Sequence, residues 1–227
     1  MADDDIRIVL MGPPGVGKGT QAKLLTETLA VPHISSGDLF RTNYQEATPL
    51  GMQIKKYMTE GLLVPENITI SIVMEAVLSS QAKKGFILDG FPRTITQAEA
   101  LDQALTKQNK FVDFTLNIDV PTEQLVKRLA SRLLCSSCQT TYNTETQPPK
   151  SEGLCDLCNT PLYQRDDDGQ AAVKKRFQVY NNDSRPLLKY YGSQGKLINI
   201  DGTGTLMKVH QHLLQAISNI SSNNIPG

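Results

Sequence analysis

One spacing near the start of the chain, Gly12, four residues, then Gly17 and Lys18, constrains the fold more than any other feature of the sequence. It is the spacing of a phosphate-binding loop, in which glycines let successive backbone N–H groups turn toward an anion and the lysine ammonium reaches its outer phosphates. The apolar run Ile6 to Met11 predicts a buried strand before the loop, and Gln21 to Leu25 predict a helix after it. The helix N-terminus would face the same anion. The stretch therefore predicts a phosphate site; the alternative is an ordinary glycine-rich turn.

The loop departs from the usual motif at one position. Serine or threonine ordinarily follows the lysine, and its hydroxyl ligates magnesium. Here Gly19 follows Lys18, and Thr20 comes one residue later. The loop itself therefore does not predict a hydroxyl ligand for magnesium.

Composition and charge narrow the class of protein. The 227 residues suit one domain with insertions, or two domains, and 23 basic side chains balance 23 acidic ones. This balance does not indicate a nucleic-acid or membrane-surface protein, so an anion site must come from a local concentration of basic residues. The sequence has no run of about eighteen apolar residues, and the start Met1 to Asp5 lacks the basic residues of a signal peptide. We expect a cytoplasmic protein with no membrane and no nucleic acid as partner.

A second informative stretch runs from Gly85 to Arg93. Its apolar residues, Phe86 to Leu88, predict a buried strand that Asp89 ends, where sites in doubly wound sheets lie. An acidic residue at that place predicts a magnesium contact through water. Gly90 permits close approach of a ligand, and Pro92 stiffens the turn that carries Arg93. The stretch alone is also compatible with a strand-to-turn junction that has no chemistry.

The chain between these two stretches predicts one strand and several helices. Val31 and Ile34 suit a short second strand, Asp38 is the predicted N-cap of the next helix, and Gly51 to Glu60 read as helical. The helix that follows has one apolar face, formed by Ile68, Ile72, Val73, Ala76 and Val77. A lone histidine, His33, is not predicted to bind a metal, because no second histidine stands at ligand spacing.

The second half of the chain continues the alternation of strands and helices. Phe111 to Ile118 and Lys196 to Ile200 predict strands. Between them, Leu125, Leu129 and Leu133 at spacings of four predict a helix, from one face of which Arg128 and Arg132 project; by itself such a pair indicates a solvated face. The last helix is amphipathic, with Leu206, Val209, Leu213, Ile217 and Ile220 on one side. The strand–helix–strand crossovers predict an α/β protein with a parallel sheet.

All four cysteines lie in two CxxC pairs, Cys135 with Cys138 and Cys155 with Cys158. Each pair can supply two thiolates, and the separation of the pairs fits tetrahedral zinc. Free thiols and disulfides are the alternatives. Four protein ligands leave no open position for water, so a zinc ion here would be structural. The intervening segment has few large apolar residues, and the metal would supply the rigidity that a core otherwise gives.

Three motifs together resemble those of one enzyme family. GPPGVGKGTQA, SSGDLFR and LDGFPRTITQA occur in this order, and the chain is similar to the adenylate kinases from about Ile6 to Met207. The resemblance implies a three-layer P-loop NTPase-type core, with segments at 1–34, 65–130 and 169–227, and two mobile insertions. These are a helical AMP-binding insertion at 35–64 and a zinc-bearing lid at 131–168. The implied reaction is the reversible, magnesium-dependent transfer of a phosphoryl group between ATP and AMP, giving two ADP, by a monomer.

The resemblance also implies roles for residues at matching positions. The cations expected to act on the transferring phosphates are Lys18, Arg93, Arg128, Arg132, Arg165 and Arg176. ATP is expected to bind Gly15, Val16, Gly17, Lys18, Gly19, Thr20, Arg132, Thr141, Tyr142 and Gly204. AMP is expected to bind Ser36, Arg41, Leu62, Leu63, Val64, Gly90, Phe91, Pro92, Arg93, Gln97, Arg165 and Arg176, with the Gln97 amide at the adenine edge. Asp167 and Asp168 match acidic residues that latch and orient the closed lid.

Two positions depart from the family's pattern. Leu133 follows Arg132 where some members have a further basic residue, and Asp166 stands where a basic residue is frequent. The first departure removes one possible positive charge from the lid and leaves the arginine pair.

Two other functions remain open from the sequence. A kinase for another nucleoside monophosphate would use the same arginines, since they do not read the base; the residues around Ser36 and Gln97 decide between acceptors. A nucleotide-dependent zinc-ribbon adaptor for nucleic acid would use the CxxC pairs as a binding module. Against the adaptor, the segment from Cys135 to Cys158 holds one basic residue, Lys150, and one aromatic residue, Tyr142.

Overall fold

The computed structural model describes residues 5–45 and 48–223, with side chains described as far as residue 219. The strands of this part of the chain are β1 (Ile6–Met11), β2 (His33–Ser35), β3 (Gly85–Asp89), β4 (Phe114–Asp119), β5 (Arg132–Cys135), β6 (Thr141–Asn143), β7 (Leu162–Tyr163) and β8 (Leu197–Asp201). The α-helices are α1 (Lys18–Leu29), α2 (Ser36–Gln45), α3 (Pro49–Thr59), α4 (Glu66–Val77), α5 (Ile95–Thr106), α6 (Thr122–Ala130), α7 (Gln170–Val179), α8 (Pro186–Ser193) and α9 (Leu206–Asn223). The predictions that concerned Met1 to Asp4 and the side chain of Ile220 fall outside the described residues.

β1 lies at the centre of a five-stranded parallel sheet of order β2-β3-β1-β4-β8. Val9 of β1 pairs with Leu88 of β3 on one side and with Thr115 of β4 on the other. The chain first builds β2 and β3 on one side of β1 and then β4 and β8 on the other. Ligands in such sheets bind at the carboxyl ends of the strands, where the strand order reverses. The predicted α/β fold is confirmed, and the phosphate loop leaves β1 at the expected binding edge.

The apolar run of β1 is continuous because both faces of the sheet are buried. Ile8 and Leu10 point into a core shared with α1 and α9, whereas Val9 and Met11 point into a core shared with α4, α5 and α8. The result is three layers, helices on both sides of the sheet. No helix within residues 5–45 and 48–223 combines the length and apolar character that a membrane crossing requires.

Two excursions leave the sheet. The first contains α2 and α3 and has a small core of its own, formed by Phe40, Ile54 and Val64. The second contains an antiparallel sheet of order β6-β5-β7, packed around Cys135 and Tyr142. These excursions lie within the segments predicted as the AMP-binding insertion and the lid; that division into domains stays a prediction.

The prediction that Arg128 and Arg132 share a helix face is wrong. α6 ends at Ala130, and Arg132 and Leu133 belong to β5. Arg132 pairs with Asn143 of β6 in the antiparallel sheet. Strand pairing depends on partners distant in sequence, so the spacing of four residues between leucines could not predict that Arg132 belongs to a strand.

Two further boundaries differ from the prediction. α2 begins at Ser36, so Asp38 lies in its first turn and is not the N-cap. The Ser35 hydroxyl instead accepts a hydrogen bond from the Asp38 N–H at 3.2 Å, and the Asp38 carboxylate is free to pair with Arg41. β4 begins at Phe114 and not at Phe111, because Phe114 is the first residue that pairs with β1; the Phe111 side chain is 59% exposed.

Candidate active site

A cavity of about 570 Å³ opens at the carboxyl ends of the strands. The phosphate loop forms one wall, and the other walls come from stretches far apart in the sequence. The predicted phosphate and donor-nucleotide residues that line it are Gly15, Val16, Gly17, Lys18, Gly19, Thr20, Arg41, Arg93, Arg128, Arg132, Thr141, Tyr142, Arg165, Arg176 and Gly204. The fold therefore brings every cation that was predicted to act on the phosphates to one cavity.

Lys18 begins α1 and folds back over its own loop. Its Nζ donates hydrogen bonds to the carbonyl oxygens of Gly12 at 2.7 Å and Pro13 at 3.1 Å. Burial lowers the pKa of the ammonium to about 8, although the Asp89 carboxylate acts in the opposite direction. The positive charge thus lies beside the loop, bound by two neutral acceptors that a phosphate can replace.

Asp89 lies at the end of β3, next to the loop. Burial acts to raise the pKa of this carboxyl, but the His33 imidazole, the Lys18 ammonium and Arg93 together bring the pKa below its ordinary value. His33 Nε2 lies 3.6 Å from Asp89 Oδ2. A Cβ atom added at Gly19 would lie 3.3 Å from that same carboxylate oxygen. The carboxylate therefore lies beside the position that the hydroxyl side chain of the usual motif would occupy, and it is an ionised oxygen donor of the kind that magnesium prefers.

Three arginines of the cavity are bound by two carboxylates on the short turn before α7. Arg132 donates to both Asp168 oxygens, at 2.8 and 2.5 Å, and Arg165 donates to both Asp167 oxygens, at 2.8 and 2.6 Å. Arg176 reaches both carboxylates at 3.0 Å. The Asp168 side chain is fully buried. Burial lowers the pKa of Arg176 to about 10, so the guanidinium stays charged at neutral pH. The turn therefore holds three positive charges in fixed directions at the cavity wall.

A second, smaller cavity of about 60 Å³ adjoins the first. Its lining includes the predicted acceptor residues Leu62, Leu63, Val64, Gly90, Arg93, Gln97, Arg165 and Arg176. The Gln97 side chain accepts a hydrogen bond from the Arg93 N–H through its Oε1, at 2.8 Å. This contact fixes the orientation of the amide and leaves its N–H₂ group and one Oε1 lone pair for a ligand. Gly90, at φ 76°, permits the tight turn here, since a Cβ atom would lie 2.7 Å from the Ser36 hydroxyl.

Arg41 lies in the larger cavity, close to the acceptor residues. One of its terminal nitrogens pairs with Asp38, while its Nε and its other terminal nitrogen are buried without a hydrogen-bond partner among the described residues. Buried donors without partners are costly. Their presence at a cavity wall is what a site for a phosphate or carboxylate group requires.

Two predicted ligand residues have buried side chains that pack mainly against apolar neighbours. Phe91 is 1% exposed and packs in the main core beside Leu88 and Leu101. Tyr142 borders the larger cavity, but its ring packs between Cys135 and Cys155. Pro92 borders a third small cavity, under the phosphate loop, together with Lys18 and Arg176.

The four cysteine ligand atoms lie within 4.8 Å of one another. The Sγ atoms of Cys135 and Cys158 are 3.4 Å apart, those of Cys138 and Cys155 are 3.5 Å apart, and those of Cys138 and Cys158 are 3.6 Å apart. A disulfide requires about 2.05 Å. Four sulfurs that each lie about 2.3 Å from one tetrahedral zinc ion are about 3.8 Å from each other. The cluster therefore fits a four-thiolate metal centre and not two disulfides.

Sequence reasoning missed three residues of these sites. His33 lies against Asp89, and Thr69 lines the smaller cavity while its hydroxyl donates to the Val64 carbonyl at 3.1 Å. Lys23 of α1 donates to the Gln139 carbonyl, in the predicted lid, at 2.7 Å. No local pattern marks them, because each contact joins elements that meet only in the folded chain.

Comparison with known proteins gives a consistent result. The family profile described as "Adenylate kinase" matches residues 10–196. The "Adenylate kinase" of Clostridium novyi is 47% identical over 91% of this chain and 95% of its own. The "Adenylate kinase" of Syntrophomonas wolfei is 50% identical over 87% of this chain and 92% of its own. That of Clostridium acetobutylicum is 46% identical over 95% of this chain and 100% of its own. Since the profile covers most of the chain and these relatives are 46–50% identical over nearly all of it, the chain belongs to the adenylate kinase family.

Proposed function

We propose that this protein catalyses the reversible reaction ATP + AMP = 2 ADP, with ATP at the phosphate loop and AMP at the smaller cavity. One observation carries the assignment of the two sites: Arg93, Arg165 and Arg176 border both cavities, so one set of cations can face a donor phosphate from one side and an acceptor phosphate from the other. The geometry supports direct transfer between two bound nucleotides.

Positioning and charge account for the chemistry. ATP and AMP together carry about six negative charges at neutral pH, since secondary phosphate pKa values lie near 6. The planar guanidinium group stays charged and binds phosphate oxygens in pairs, so arginines suit the equatorial oxygens of the transferring group. The AMP phosphate is already largely ionised, so the reaction needs no general base. Lys18 and the arginines hold the reacting oxygens in line and stabilise their charge.

Two metals complete the proposal. Magnesium, when bound with ATP, would supply two positive charges, and Asp89 is the residue that would hold it through water. Zinc in the four-cysteine centre would be structural, since the thiolates of Cys135, Cys138, Cys155 and Cys158 fill a tetrahedral shell. Thiolate ligation of this kind agrees with a reducing compartment, and we propose a cytoplasmic monomer.

The hydrogen-bonding state of Gln97 favours adenine as the acceptor base. Because one lone pair of Oε1 accepts from the Arg93 N–H, the orientation of the amide is fixed: the N–H₂ group can donate to a base, and the second Oε1 lone pair can accept. N1 of adenine accepts hydrogen bonds, whereas N1 of guanine carries a hydrogen and would leave a donor facing a donor. A mismatch of this kind is costly at a site that is 1% exposed.

Closure of the two insertions completes the proposed cycle. Water competes with AMP for the phosphoryl group, so residues 131–168 over the donor and 35–64 over the acceptor should close before transfer. Arg132 and Arg165 belong to the lid, and their carboxylate partners lie at its junction with α7. Lid closure and assembly of the arginine set are therefore one event in this scheme.

The test is an acceptor panel. Purified protein is mixed with Mg·ATP and, separately, AMP, GMP, CMP, UMP or no acceptor, and the diphosphates are quantified. We expect rapid ADP formation with AMP and little without an acceptor. Preference for another monophosphate would contradict the proposal that Gln97 selects adenine, but it would leave the arginine mechanism unchanged. ATP binding without phosphorylation of any acceptor would contradict the arginine assignment and favour the adaptor alternative.

The lowered pKa of Lys18 predicts that ATP binding weakens at alkaline pH. Below pH 8 the ammonium is charged; above it the free protein loses this charge, and bound phosphates restore it by raising the pKa. ATP is fully ionised in this range, so binding at pH 9 should take up close to one proton. Calorimetry in two buffers of different ionisation enthalpy measures the uptake, and the Kd should rise by up to about tenfold per pH unit above pH 8.

The matched control for this prediction is Lys18→Arg, because a guanidinium stays charged throughout the range. Whatever its absolute affinity, the variant should show no proton uptake at pH 9. A wild-type Kd that is constant from pH 7.5 to 9.5 would show that Lys18 does not titrate in this interval.

A further inference from the structure

Strand β6 lies between the metal centre and the wall of the larger cavity. Because side chains alternate along a strand, Tyr142 points to one face of β6, and its neighbours Thr141 and Asn143 point to the other. Tyr142 is 4% exposed and packs against Cys135 and Cys155. Thr141 and Asn143 are half-buried and, together with the edge of Tyr142, border the cavity that takes the donor nucleotide under the proposed function. One short strand is thus shared by two sites.

The Tyr142 hydroxyl makes two contacts on the metal side. The Asp156 N–H donates to the hydroxyl oxygen at 2.8 Å, and the Cys155 Sγ lies 3.4 Å from the same oxygen. A bound metal ion requires a thiolate, which has no proton to donate. Since the tyrosine oxygen already accepts from Asp156, its own proton is directed to the Cys155 sulfur. The hydrogen bond therefore runs from the tyrosine to the metal ligand.

The other face of β6 is bound to the end of α6 and the start of the lid. Asn143 Nδ2 donates to the Arg128 carbonyl at 3.2 Å and to the Ser131 hydroxyl at 2.8 Å. Asn143 also pairs with Arg132 in the lid sheet. A displacement of β6 would therefore move the backbone that carries two of the proposed phosphate-binding arginines.

We propose that Tyr142 is a positioning residue whose hydroxyl donates to the Cys155 thiolate and thereby strengthens metal retention. The same hydrogen bond ties β6 to the metal centre, and with it the donor wall, by which we mean the part of the cavity wall that Thr141 and Asn143 form. This inference rests on the proposed zinc site and donor site. Hydrogen bonds to metal ligands typically change metal affinity by 10- to 100-fold. The hydroxyl is the only polar atom of the side chain, so its removal isolates the effect.

The experiment compares Tyr142→Phe with the wild-type protein, both loaded with zinc. Zinc release to a chromogenic chelator should be at least tenfold faster in the variant. The Co²⁺-substituted variant should show its thiolate-to-metal charge-transfer band at longer wavelength, because a sulfur without the hydrogen bond holds its electrons less tightly. At saturating zinc, the KM for ATP should rise several-fold, while the KM for AMP, which binds away from β6, stays within twofold.

Tyr163→Phe is the matched control, since Tyr163 lies in strand β7 of the same small sheet and is not packed against the cysteines. It should match the wild type in zinc release and in the cobalt spectrum. Zinc release and a cobalt band in Tyr142→Phe that equal those of the wild type would overturn the inference. An unchanged ATP KM despite faster zinc release would overturn the link to the donor wall. A wild-type protein that binds neither zinc nor Co²⁺ would instead overturn the proposed metal site.

Discussion

Replacing Arg93 by alanine is expected to lower kcat by about 10³-fold, because transition-state charge on the transferring group loses a donor that is already in place. Arg93 borders both cavities, and its Nε donates to the Gly90 carbonyl at 2.7 Å, which fixes its direction. Among the described residues no carboxylate forms an ion pair with it, unlike Arg132, Arg165 and Arg176. No carboxylate ion pair therefore has to be broken before its terminal nitrogens bind phosphate oxygens.

The measurement is steady-state turnover at saturating Mg·ATP and AMP, with thermal melting to show that the fold is intact. Arg185→Ala is the matched control, since Arg185 is an exposed arginine outside the cavities. It should turn over at the wild-type rate. Turnover of Arg93→Ala within tenfold of wild type would remove Arg93 from the catalytic set.

Removing the metal is expected to unfold the lid before the core and to lower the main melting temperature by about 10 °C, the shift that roughly 3 kcal/mol produces in a chain of this size. The apolar cluster of the lid is small: Cys135, Tyr142 and Cys155 are its buried members, with Leu133 and Leu162 partly buried beside them. Without a metal ion, this core consists of two small thiol side chains, one tyrosine and two partly buried leucines. Calorimetry and limited proteolysis with and without a strong chelator measure the effect.

Cys158→Ser should reproduce the loss without a chelator, because it removes one of four thiolates. Ser137→Ala is the control, since Ser137 is an exposed residue between Cys135 and Cys138, and alanine keeps its backbone N–H. We expect it to melt as the wild type does. Purified protein that contains no metal and melts identically with chelator would eliminate a structural metal.

Features that depend on short stretches were predictable from the sequence. The glycines and lysine from Gly12 to Lys18, Asp89 at the end of an apolar run, and the two CxxC pairs each need only neighbouring residues to be recognised. The structure places all of them as expected. The parallel sheet followed from the alternation of strands and helices.

Features that depend on which strands pair were not predictable. His33 meets Asp89 because β2 and β3 pair with His33 opposite Ile87 and Ser35 opposite Asp89, a register that no local pattern encodes. Arg132 has the spacing of a helix residue yet joins a strand, because its partner Asn143 comes eleven residues later. Tyr142 resembles a nucleotide contact in sequence, and only the alternation of β6 in the folded lid shows that its side chain faces the cysteines.

The carboxylates of Asp167 and Asp168 have a consequence for how long nucleotides stay bound. They already occupy part of the hydrogen-bonding capacity of three arginines. An arriving phosphate therefore replaces some carboxylate–arginine bonds and does not simply bind unpaired arginines. The arginines therefore bind the ground-state nucleotides less tightly. Their strongest interactions are reserved for the transition state, in which the charge of the transferring phosphoryl group is spread over more atoms. An enzyme whose substrates and products are all polyanions can in this way release ADP quickly without giving up the cations that its chemistry requires.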